Sequence, residues 1–180
     1  MHNIAIVGNG SISDEQRAYI ETFDTVVRFN NLESYRDGEK TSIIYFRSNN
    51  EKHLRLKGNP FPKFTSFSKH KAKYDAHTFV FVAPHINIVK NIPLIVKYYN
   101  TDNHYIIQKN QFDAPPKNVC WSTGYFGIID MKIKYPDATL HLFGMCWHYL
   151  LPCGNLEKSI MSNLDNVVIH PTPYQCVHSK

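Results

Sequence analysis

Apolar runs carrying β-branched residues recur along the chain at NIAIVG (3–8), TVVRFN (25–30), TSIIYFR (41–47), HTFVFVAP (77–84), HYIIQK (104–109), ATLHLFGM (138–145) and NVVIH (166–170). Their length and composition predict strands. Segments with helical spacing lie between several of them, at 13–23, 86–99, 122–135 and 155–164. Strands alternating with helices predict an α/β fold, a mostly parallel twisted sheet covered by helices on both faces. Ser13 and Gln16 have the spacing of a capping box, and Asp14 and Glu15 suit a helix's positive end, so the first helix is expected to start here. Segment 48–76 is polar, basic and broken by Pro60 and Pro62. It predicts an excursion from the sheet, because strands flank it on both sides.

At 180 residues the chain suits one domain, 1–180, since two halves would each bury too little apolar surface. The formal charge of +5 favours an anionic ligand or surface. The basic residues are scattered rather than clustered, which gives no support to nucleic-acid binding. The N-terminus enters a strand without a basic leader, and no run of transmembrane length follows. Cys120, Cys146, Cys153 and Cys176 are too few and too irregular for a disulfide scaffold. Reduced thiols in a cytoplasmic protein are therefore expected.

Ligands of open parallel sheets settle beyond the carboxyl ends of the strands, so the residues following each strand are the candidates. After the first strand come Gly8, Asn9, Gly10 and Ser11, a turn that fits a phosphate cradle and fits a tight strand-to-helix connection equally well. A dinucleotide site would continue with a third glycine and place an acid after the second strand. Here Ser13 stands where that glycine would be, and the second strand ends in Asn30 and Asn31. An amide both donates and accepts, so it can address a pyrimidine edge or ribose hydroxyls, which points to a nucleotide other than NAD. Ser122, Thr123 and Gly124 open a predicted helix and offer hydroxyls and unpaired N–H groups, either to a ligand or simply as a cap.

Together these residues resemble the sialyltransferases. VGNGS…DTVVRFNN is similar to the family's long motif, and STGYFGIIDMKIKYPDATLHLFGM is similar to its short motif. The resemblance covers 3–31 and 120–170, in the family's order. It implies a single Rossmann-like domain that binds CMP-sialic acid as donor, transfers the sugar to a glycan acceptor with inversion, and uses no metal and no further cofactor. Carried over, Asn9 contacts the CMP phosphate or ribose, and Asn30, with Asn31 beside it, the cytidine portion. Ser122, Thr123 and Gly124 line the sugar and its carboxylate.

The family's catalytic histidine stands five residues before a glutamate, or last in an H-Y-x-x-H stretch. In MCWHYLLPCGNLEKSI both registers land on Pro152. His148 is then the candidate general base, since an imidazole titrates near working pH, unless it packs as a core residue beside Trp147. The acceptor-covering segment of the bacterial enzymes is missing between Gly144 and His148. The alternative is a non-catalytic, nucleotide-binding relative that keeps the donor turn and has lost the base.

Two other classes carry less weight. Cys146, His148, Cys153, His170, Cys176 and His178 could be read as zinc ligands, but their spacing matches no common zinc pattern. Aromatic residues such as Tyr98, Tyr99 and Phe61 to Phe67 could stack on bases, yet most aromatics fall on elements where a core needs them.

Overall fold

The structure is a computed structural model and describes residues 2–29, 35–36, 38–47, 78–83, 103–108, 111–117, 121–147 and 152–173. All seven expected strands are present: β1 (Asn3–Val7), β2 (Thr25–Phe29), β3 (Ile43–Arg47), β4 (Thr78–Ala83), β5 (His104–Gln108), β6 (Thr139–Phe143) and β7 (Val167–Ile169). They form one sheet in the order β5-β4-β3-β2-β1-β6-β7, and every pairing is parallel. The described helices are α1 (Asp14–Ile20), α2 (Thr123–Lys134) and α3 (Pro152–Ser162). The third begins three residues before the expected 155, with Pro152 as its first residue, a position where the missing N–H costs nothing. The expected helix 86–99 and the excursion 48–76 lie outside the described residues.

Parallel strands need covering on both faces, and β1 shows it: Ile4, Ala5, Ile6 and Val7 are all buried. Ile4 and Ile6 belong to the larger core, with Val27, Phe29 and Tyr45 from the sheet and Phe126, Ile128, Met131 and Met161 from α2 and α3. Ala5 and Val7 face α1 in a smaller core with Ile12, Ile20, Phe23, Val26 and Phe143. Helix α2 approaches the sheet closely at Gly127, where a Cβ would stand 2.5 Å from a ring carbon of Phe29. Toward its C-terminal half Asp130 accepts hydrogen bonds from the hydroxyls of Tyr45 (2.5 Å) and Tyr105 (2.7 Å). This buried polar pin locks α2 onto β3 and β5, and burial beside Asp130 raises both phenols well above their ordinary range.

Charge organises the other face. Arg28, 2% exposed, reaches Glu39 (3.0 Å) and the carbonyl of Lys40 (3.3 Å) from below α1. Arg17 of α1 also bonds Glu39, Arg36 pairs with Asp14 at 2.7 Å, and the Glu21 carboxylate accepts from the backbone N–H of Lys40. These contacts set Arg36, Glu39 and Lys40 of the returning chain against α1 from its first turn to its C-cap. Burial lowers the pKa of Arg28, opposed by the Glu39 charge.

Candidate functional site

From β1 the chain steps outward through β2, β3, β4 and β5, then returns to place β6 on the other side of β1. The switch point lies between β1 and β6, where a parallel sheet offers its crevice. The loops that follow these two strands are Gly8–Ser11 and Gly144–Trp147. They are stitched together: Gly8 N–H donates to the carbonyl of Phe143 (2.8 Å), and Gly10 N–H to that of Gly144 (2.7 Å). A Cβ at Gly8 or Gly10 would stand 2.4 or 2.6 Å from the Gly144 oxygen. Gly144 itself takes φ 55°, a conformation that favours glycine. The glycines therefore permit close approach of two backbones, and two of the N–H groups expected for a phosphate are used inside the protein. Between them the Asn9 side chain makes no hydrogen bond among the described residues, which leaves its amide to a ligand.

The start of α2 meets this turn at Met145. A Cβ on Gly8 would lie 3.0 Å from the Met145 sulfur, and one on Gly124 would lie 3.5 Å from its terminal methyl. Ser122 caps α2, accepting from Tyr125 N–H at 3.0 Å. Its own N–H (2.6 Å) and hydroxyl (2.8 Å) both donate to the buried carboxylate of Glu157 on α3. Thr123 and Gly124 N–H make no hydrogen bond among the described residues. The positive end of α2 thus already faces a carboxylate, and its two spare N–H groups suit the hydroxyls or polar edge of a ligand better than a second isolated charge.

The structure therefore gathers Gly8, Asn9, Gly10 and Ser11 with Ser122, Thr123 and Gly124 at one edge. Asn30, Asn31 and His148 lie outside the described residues. Glu157 was missed as a site residue: it served only as a counting landmark, and no local pattern ties it to Ser122, 35 positions earlier. Trp121 stacks on Tyr125 at 4.2 Å and its indole N–H donates to the carbonyl of Asp113, fixing the approach to α2.

Cys146 is disulfide-bonded, which corrects the expectation of reduced thiols. The other cysteine side chains lie outside the described residues. Disulfides persist in oxidising surroundings, so the cysteines no longer argue for a cytosol-like compartment. Among the described residues no helix is long and apolar enough to cross a membrane, and no group of three or more His, Cys, Asp or Glu is placed to hold a metal ion. His170, one of the zinc candidates, instead pairs with His141. The chain matches no known family model, no curated protein and no solved structure.

Proposed function

We propose that the edge between β1 and β6 is a nucleotide-sugar site and that the chain is a sialyltransferase-like glycosyltransferase using CMP-sialic acid. The observation that carries this is the meeting of Gly8–Ser11 with Ser122–Gly124 across Met145 at the switch point of the sheet. In the proposed reaction an acceptor hydroxyl attacks the anomeric carbon from the face opposite CMP. The bond from that carbon to the phosphate oxygen breaks, the configuration inverts, and the base takes the hydroxyl proton. Asn9 supplies a neutral donor for the CMP phosphate or ribose, and the N–H groups of Thr123 and Gly124, without a hydrogen bond among the described residues, donate to the sugar, so the reaction as proposed needs no metal. Asn30 and Asn31 address the cytidine, and His148 is the proposed base. A glycan is the proposed acceptor, and nucleic acid is not a partner in this reading.

Pro152 favours a second reading. It opens α3 at the position where the family's base would stand, so the chain is otherwise a nucleotide-binding relative without transfer activity. Thermal unfolding with added nucleotide tests the shared part of both readings, because a ligand of the folded state raises Tm. CMP and CMP-sialic acid are expected to raise it more than UDP, GDP or NAD at equal concentration, and equal shifts from all of them would remove the assignment. Transfer to a sialylatable acceptor then separates the enzyme from the relative.

A further inference from the structure

His141 of β6 and His170, which follows β7, meet through their ring nitrogens, Nδ1 to Nε2, at 3.1 Å. The ring centroids are 5.3 Å apart and the planes differ by 23°. With nitrogens that close and centroids that far apart, the two nitrogens must face each other along the line joining the rings. This is the geometry of a head-on N–H···N hydrogen bond. It is not that of a chelate, in which both lone pairs turn toward a common ion. Phe143 lies flat on His170 at 4.0 Å, while Tyr19 of α1 meets both imidazoles edge-on and Phe23 meets His141. Among the described residues, α1 and its following turn bring Tyr19 and Phe23 against the pair, and in the sheet Ala5 of β1 and Val168 of β7 stand beside His141. Among the described residues no carboxylate shifts the titration of either ring.

The histidines anchor a short strap, 170–172. His170 N–H donates to the carbonyl of Leu142 (2.9 Å), the Gln16 amide to that of Pro171 (2.8 Å), and the Thr172 hydroxyl to that of Met145 (3.5 Å). The strap thus ties α1 and β7 to Met145, the residue on which Gly8 and Gly124 converge.

We propose that His141 and His170 form a one-proton latch that holds this strap closed and opens when a second proton is taken up. One added proton leaves an imidazolium donating to an imidazole. A second puts N–H against N–H along one axis, with no acceptor left between the rings. Burial lowers the pKa of both histidines, and His141 lowers that of His170 further. The sign follows: the unfolded chain takes up protons below about pH 6.5 that the folded chain resists. The latch's stability is full above that value and is lost as pH falls from it toward the lower folded values.

The coupling to ligand rests on the nucleotide site proposed above, whereas the latch itself does not. Imidazole nitrogen NMR on the full chain from pH 8 to 5 should show His141 and His170 titrating in two well-separated steps, as coupled groups do. Wild-type Tm should fall over the acidic part of the same range, and the double variant His141→Phe/His170→Phe should lose much of that pH dependence. Independent titration of both rings near the ordinary histidine value in the wild type would overturn the latch whether or not the variant folds. If CMP binds, its affinity should weaken with the second protonation step, and affinity that stays constant through that step would overturn the coupling while leaving the latch.

Discussion

The two helix starts at the carboxyl edge have nearly the same backbone. Ser13 caps α1 at φ −72°, ψ 164°, and Ser122 caps α2 at φ −72°, ψ 165°. They differ in who answers the serine. At α1 the reply is local: Gln16 N–H donates to the Ser13 hydroxyl, and the Gln16 side chain accepts from Ser13 N–H. At α2 Tyr125 N–H likewise donates to the Ser122 hydroxyl, but the Tyr125 side chain cannot accept from Ser122 N–H, and Glu157 arrives from α3 to take both Ser122 donors. One cap is a property of a tetrapeptide. The other is completed only when α2 and α3 are docked, so it joins the stability of the core to the shape of the candidate site.

The largest effect should come from breaking the distant cap. Glu157→Ala removes the acceptor of two donors in a buried setting and should cost about 3 kcal/mol of stability, measured by chemical denaturation. A cost no greater than that of an ordinary surface substitution would mean that α2 caps itself without α3. Next comes the stitched turn. Gly10→Ala places a methyl 2.6 Å from a backbone oxygen that cannot swing away, and should cost about 1–3 kcal/mol. A neutral outcome would show that the loops after β1 and β6 separate freely. The smallest effect belongs to the local cap: Ser13→Ala should cost about 1 kcal/mol. Equal losses at Ser13 and Glu157 would erase the distinction between the caps.

That distinction also describes what the sequence allowed to be read. The seven strands and the Ser13 cap were legible because each depends on a few neighbouring residues. Burial on both sides leaves a continuous apolar run, and a capping box leaves its four-residue spacing. The order of strands and the switch point were not legible, since they depend on which runs pair. Gly8 and Gly10 fit a phosphate cradle and a tight turn equally well in sequence, and that their N–H groups are held by Phe143 and Gly144 could not be read there, because those partners lie on a distant strand and loop. Glu157 and the His141–His170 pair were hidden for one reason: each links residues far apart in the chain whose local surroundings carry no signal. Pro152 shows the reverse case, a residue conspicuous in sequence as a missing base whose structural part is simply to begin a helix.

The central claim is that a cytidine nucleotide binds where the glycine turn meets the start of α2. The most direct measurement is an NMR titration of the nitrogen-15-labelled chain with CMP, following the backbone amides and the Asn9 side chain. The account predicts saturable changes concentrated at Asn9, Thr123 and Gly124, whose donors are unused among the described residues, with smaller changes at Gly8 and Gly10, whose N–H groups are held by Phe143 and Gly144. UDP, GDP and NAD should produce weaker changes at the same concentrations. Unmoved Asn9, Thr123 and Gly124 signals at saturating CMP, or changes centred elsewhere on the molecule, would contradict it.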